Sequence, residues 1–203
     1  MWCRYLRLRF LRIRLHHQPH YNRPPVKKAL VLAVLLSTLG AAVLIAQRII
    51  TNPRPDAHLK ALFPAAAAFS PLSGDPLHFS AYGADPKSTP TAPPIGYAFW
   101  TTDVVPNEHG YHGPIHVLVG LDLKGVITGA IVDYDSEPYG YFSVEPPKFA
   151  AQFKGKTIRD PFVVGRDVDA VSRASISIGS ATRAIRDSTR IMAQKFLPEA
   201  TRQ

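Results

Sequence analysis

Four hydroxyls stand close together near the C-terminal end of the chain: Ser172, Ser175, Ser177 and Ser180. They lead into a run where apolar or small residues recur at Ile178, Ala181, Ile185, Ser188, Met192 and Phe196, the period of an amphipathic helix. Hydroxyls at such a junction mark a helix N-terminus, with serine side chains available to cap free backbone N–H groups. Those N–H groups and the helix dipole also attract anions, and phosphate is a natural guest. On pattern alone the plainer reading, an ordinary serine-capped helix, stays ahead.

Other chemistry-bearing groups are less convergent. Glu108, His109, His112 and His116 form the sharpest metal-like cluster, and His112 and His116 are four apart, as on a helix. Gly113-Pro114 between them argues against a helix, so the spacing loses its meaning and solvated loop histidines are expected, with no metal site. Ser175 as a hydrolase nucleophile lacks a G-x-S-x-G elbow and a recognisably paired histidine. Arg166, Arg173 and Arg183 surround the serines in sequence; they could bind a phosphate, or face solvent as helix-surface charges usually do, and Arg173 ranks first only for its place in the motif described next.

The segment Asp169-Ala170-Val171-Ser172-Arg173-Ala174-Ser175 resembles the flavinylation motif of the FMN-binding domain family, D-x-x-[ST]-G-A-[TS]. In that family the last hydroxyl carries FMN through a phosphoester bond. The family includes subunits of the sodium-pumping quinone reductase, and the resemblance here extends furthest to the N-terminal domain of the membrane regulator of nitrous oxide reductase. It runs over roughly residues 56–197, through GYAFWTTDVVPNEHGYHGPIHVLVGLDLKGVITGAIVDYDSEPYGYF. Two positions depart from the pattern: Arg173 stands where glycine is usual, and Ser175 where threonine is usual. Serine can form the same ester. Arginine permits neither positive φ nor close backbone approach cheaply, although it brings donors suited to phosphate oxygens.

The resemblance implies FMN as cofactor and a site formed by Asp169, Ser172, Arg173, Ala174, Ser175 and Ser177, with Ser175 as the esterified residue. It also implies that the loop Glu137-Pro138-Tyr139-Gly140-Tyr141-Phe142 lies against the flavin. Aromatic faces can sandwich an isoalloxazine, and Gly140 lets backbone come close; the competing reading has these rings plugging one end of the core.

The elements that must position these groups read as α+β, an antiparallel sheet with packed helices. Asp56 is expected to cap a helix to about Phe63, residues 65–69 are ambiguous, and 76–82 alternate as a strand. A proline-rich surface loop fills 83–94, a strand 96–101, and a polar turn 103–114. Residues 115–123 and 126–134 read as strands joined by a tight Lys124-Gly125 turn, with Val117, Val119 and Leu121 on one buried face of a half-buried hairpin. A short helix over 147–153 and a short strand at 162–164 lead to the serine motif.

The N-terminal fifty residues have a different character. Residues 1–28 hold eight of the 24 Lys/Arg and no acid, leaving 16 basic against 15 acidic residues elsewhere. The folded part is therefore nearly neutral, and nucleic-acid binding is not expected. Residues 29–46 (ALVLAVLLSTLGAAVLIA) carry no charge, are bracketed by Lys27-Lys28 and Arg48, and extend through Ile49-Ile50 to a length suited to spanning a bilayer. A cleaved signal peptide competes; its best site, after Ala42, leaves VLIA on the mature end. The only cysteine is Cys3, which excludes iron–sulfur and cysteine-zinc sites within this chain.

The resulting expectation is a basic cytoplasmic tail (1–28), one transmembrane helix (29–50), a linker (51–55), an FMN-binding domain (56–198) and a short tail (199–203). By the positive-inside rule the domain faces the periplasm, on the outer side of the cytoplasmic membrane. Its expected role is electron carrier rather than self-sufficient enzyme, with membrane redox donor and acceptor on separate chains and a flavin transferase for maturation. A flavin-less or reversibly binding, membrane-tethered sensor or adaptor is the alternative, and an envelope hydrolase using Ser175 a more distant one.

Overall fold

A computed structural model describes residues 55–199. The basic tail, the apolar run at 29–50, most of the linker and residues 200–203 lie outside the described residues. Among the described residues no helix is long and apolar enough to cross a membrane.

Among the described residues five strands form one antiparallel sheet in sequential order: β1 (Ala68–Phe69), β2 (Phe79–Tyr82), β3 (Pro94–Trp100), β4 (His116–Asp122) and β5 (Ile127–Tyr134). Among the described residues four helices accompany them: α1 (Asp56–Leu62), α2 (Thr101–Val104), α3 (Pro147–Ala151) and α4 (Ser175–Phe196), with a 3₁₀ turn at Gly140–Phe142. This is the expected α+β architecture, with helices packed on the sheet.

The interior strand β4 is buried on both faces, which corrects the half-buried hairpin expected from its alternation. Val117, Val119 and Leu121 join one core cluster with Ile178, Ala181, Ile185 and Met192 of α4. Leu118 faces the other way, into a second cluster with Leu59, Leu62 and Phe63. The physical reason is α1, whose apolar side covers the face that the sequence pattern left to solvent. Each fully buried large side chain contributes about 1.5–3 kcal/mol, so both layers matter for stability.

Four further differences are local. Asp56 does not cap α1; it lies in the first turn behind Pro55, where its charge suits the dipole. The β4–β5 connection is a four-residue loop, Leu123–Val126, with Gly125 at φ +76°, rather than a two-residue turn. Asp122 causes this, its carboxylate accepting the N–H groups of Lys124 and Val126, both at 2.9 Å. Thr101 opens the short helix α2 instead of closing a strand. Residues 162–164 are not a strand, because the Asp167 carboxylate accepts the N–H groups of Phe162 (3.1 Å) and Val163 (2.6 Å) that a ladder would use.

Candidate functional site

The approach to α4 is a chain of tight turns. Lys156 Nζ joins the Asp167 carboxylate at 2.9 Å. Burial pushes the Asp167 carboxyl upward, but Val163, Lys156 and Phe162 together hold it below its ordinary value. Farther on, Ala174 N–H reaches the Val171 carbonyl at 3.2 Å, and Arg173 between them takes φ +68°. A side-chain-bearing residue there costs about 1–2 kcal/mol relative to glycine. The motif's usual glycine thus corresponds to a real backbone requirement, which Arg173 meets under strain.

The N-cap of α4 is Ala174, with no side-chain capping bond, so the serine cap expected from the sequence is absent. Its first intrahelical acceptor is the Ala174 carbonyl, taken by Ile178 N–H at 2.9 Å. The N–H groups of Ser175, Ile176 and Ser177 precede that bond and are the orphan donors of the first turn. Ser175 and Ile176 are exposed, whereas Ser177 is buried.

Ser177 turns inward to donate its hydroxyl hydrogen to Glu137. The Glu137 side chain is 7 % exposed and also accepts the backbone N–H groups of Tyr111 (2.9 Å) and His112 (2.8 Å). A Cβ on Gly110 would lie 2.6 Å from that carboxylate, so the turn needs glycine for close approach. Burial alone would raise the Glu137 carboxyl. Ser177, His112, Tyr111 and Gly113 as donors outweigh it and hold the group below its ordinary value, hence charged at neutral pH.

Glu137 therefore lies beneath the site as a clamp between three segments. Above it is a cavity of about 300 Å³ walled by Tyr111, Pro138 and Tyr139 on one side. Arg173, Ala174 and the first turn of α4 through Ser177 form the other side. Tyr111 and Tyr139 are 68 % and 45 % exposed, leaving ring surface for a guest. The aromatic loop divides: Phe142 packs on the core, as the competing reading had it, while Tyr139 and Tyr141 do not.

Of the residues picked from sequence, Arg173, Ala174, Ser175, Ser177, Pro138 and Tyr139 thus converge on one cavity. Ser172 and Asp169 do not line it; both are exposed, and Asp169 N–H bonds to Gln152 Oε1 at 2.7 Å. Sequence reasoning missed Tyr111 and Ile176. An aromatic between glycines at 110–113 was the available signal for Tyr111.

The histidine cluster disperses. Glu108 pairs with Arg183 at 2.7 Å, and His116 Nδ1 meets Thr102 Oγ1 at 3.0 Å. Burial lowers the His116 pKa, against Asp103 and Asp133. Among the described residues no group of three or more His, Cys, Asp or Glu could hold a metal ion. A larger hollow of about 490 Å³ lies between Leu62, Phe63, Ile127 and Gly155, but it is mostly apolar and no motif residue reaches it. Convergence of polar groups, rather than size, selects the smaller cavity.

Residues 110–190 match the sequence model of the FMN-binding domain. This stretch is similar to the FMN-binding domain family. No curated protein matches the chain. Every residue lining the smaller cavity falls inside the matched stretch. FMN is the cofactor this domain indicates. The cavity fits it in kind: orphan N–H donors and an arginine suit a phosphate, tyrosine faces suit a flat ring, and the volume is at the lower end of ligand sites, ~300–1,000 Å³.

Proposed function

We propose that the FMN-binding domain holds its cofactor in the cavity between Tyr139 and the start of α4, with the phosphate at Ser175 and esterified to its hydroxyl. One observation carries this reading: the motif residues 173–177 and the Tyr139 loop, distant in sequence, line a single cavity within the matched stretch. The exposed Ser175 hydroxyl is placed for attachment, whereas the Ser177 hydroxyl is committed to Glu137.

The role that follows is electron transfer on the outer face of the cytoplasmic membrane. Bound FMN supplies one- and two-electron redox chemistry. The chain's residues supply the seat: α4 presents its N–H groups, Glu137 fixes the loop carrying Tyr139, and the tyrosines shield a ring from water on one side. The charge asymmetry of residues 1–28 and the apolar run at 29–50 support a single-pass anchor with the domain in the periplasm. Redox donor and acceptor then belong to separate membrane chains, and a flavin transferase completes maturation.

A second reading, reversible flavin binding in a tethered sensor or adaptor, is favoured by Arg173 in the glycine position. The deciding experiment is the visible spectrum of protein purified from its own host, before and after denaturation. Flavin that stays with the denatured chain supports the ester; flavin that is released supports reversible binding. A colourless protein overturns both flavin readings.

A further inference from the structure

We propose that Arg173 is a specificity residue: it makes the cavity select the phosphate-bearing flavin over the phosphate-free one, and favours free FMN over its serine ester. This rests on FMN occupying the cavity of the preceding section.

The backbone is the first observation. Arg173 holds φ +68° where glycine would be unstrained, so its side chain is kept at an energetic cost. That side chain lines the cavity beside Ser175 and Ile176. Among the described residues its guanidinium makes no hydrogen bond or ion pair. The arginines of α4 are committed: Arg183 to Glu108, Arg186 to Asp187, and Arg190 to the Ile158 and Asp160 carbonyls.

Electrostatics supplies the second. Glu137 is a buried carboxylate bonded to Ser177 in the first turn of α4, where it partly cancels the positive end of the helix. A phosphate arriving at the same turn meets that charge. The Arg173 guanidinium offsets it and offers a planar fork of donors matched to phosphate oxygens. A free phosphate monoester carries nearly two negative charges at neutral pH and a serine-linked diester only one. Arg173 therefore stabilises unesterified FMN more than the ester, and riboflavin, which has no phosphate, not at all.

The test uses the full chain made without a flavin transferase and titrated with FMN and with riboflavin at low and high salt. Wild type, Arg173→Gln, Arg173→Lys, Arg173→Gly and Tyr139→Ala are compared by flavin fluorescence and by melting temperature. Wild type should prefer FMN about tenfold or more. Arg173→Gln and Arg173→Gly should lose about that factor for FMN and leave riboflavin unchanged, and Arg173→Lys should recover part of it. High salt should shrink the wild-type preference, since Arg173 is exposed. Arg173→Gly should also melt ~3 °C higher without flavin, and Arg173→Gln should not. An unchanged FMN-to-riboflavin ratio in Arg173→Gln, with Tyr139→Ala weakening both flavins, overturns the role of Arg173 and leaves the cavity assignment standing. If neither substitution matters, or wild type binds no flavin, the assignment falls and the proposal falls with it.

Discussion

Ser177 donates its hydroxyl hydrogen to Glu137 across forty positions of sequence, and the same carboxylate receives the N–H groups of Tyr111 and His112. One buried charge thereby fixes the first turn of α4, the 110–113 turn and the loop that carries Tyr139. Buried carboxylates persist only where donors satisfy them, and here the donors come from the cavity's own walls.

Removing that carboxylate should loosen the cavity before it dissolves the fold. Glu137→Ala leaves two backbone donors and a hydroxyl unpaired and should cost about 3 kcal/mol. Glu137→Gln keeps acceptor oxygen but turns an amide N–H₂ toward donors, and should cost about 1–2 kcal/mol. Denaturant melts check both values, and flavin titration should show weakened binding in each. Unchanged stability of Glu137→Ala would mean that the clamp contributes nothing.

Acid should reveal two carboxyls acting in opposite directions. Glu137 is held below its ordinary 4.5, so the stability it contributes is complete above that pH and is lost as pH falls through its folded value. Asp135 is pushed upward by burial first, and further by Glu137, against the Glu137 N–H bond. Its ionised form therefore costs stability at neutral pH, and the cost disappears as pH falls through its raised value. Melting temperature against pH should show a shallower acid loss in Glu137→Gln, with the remainder due in part to Asp167. Asp135→Asn, which keeps the acceptor for Glu137 N–H, should gain about 0.5 kcal/mol at pH 7. A Glu137→Gln protein with the full wild-type acid loss would refute the first half.

The apolar stripe of α4 makes a sharper prediction than its sequence pattern allowed. Ile185 and Ser188 are both fully buried, the Ser188 hydroxyl donating to the Ala184 carbonyl at 2.6 Å. Ile185→Asp and Ser188→Asp should each abolish soluble expression, because each buries an unpaired carboxylate. Ile191, 37 % exposed, should accept aspartate within about 1 kcal/mol. Normal folding of Ser188→Asp would place the stripe on the wrong side of the helix.

What the sequence showed was local and periodic: the 3.6-residue recurrence along α4, the three strands β3 to β5, and the frame from Asp169 to Ser175. What it hid depends on partners far away in the chain. Nothing near Leu59 or Leu62 indicates that they cover the second face of β4, which is why the hairpin read as half-buried. Carboxylates that capture backbone N–H groups were also invisible. Asp122 lengthens the hairpin loop and Asp167 removes a strand, each against the local propensity. Glu137 carried a signal, as the acid heading an aromatic loop, but its partners at 111, 112 and 177 could not be read from spacing.

The proposed anchor makes a prediction about sidedness. Eight basic residues and no acid precede the apolar run, so the chain should enter the membrane with residues 1–28 inside. A reporter active only outside the cytoplasm should work when fused at Gln203 and fail at Gln18. Cytoplasmic activity of the Gln203 fusion would overturn both the orientation and the envelope role.

The last prediction separates the serines that sequence placed together. If the ester forms at Ser175, protein made with a flavin transferase should keep yellow fluorescence on a denaturing gel, at a mass raised by one FMN less one water. Ser175→Ala should lose that adduct. Ser172→Ala should keep it, since Ser172 does not line the cavity. Ser177→Ala should keep it too, but at about 1 kcal/mol lower stability, because the Glu137 carboxylate loses a donor. The two losses therefore differ in kind: Ser175→Ala removes the bond without unsettling the fold, and Ser177→Ala unsettles the fold without removing the bond. An adduct that survives Ser175→Ala and vanishes in Ser177→Ala would move the attachment point inward, and the Glu137 clamp would have to open to admit it.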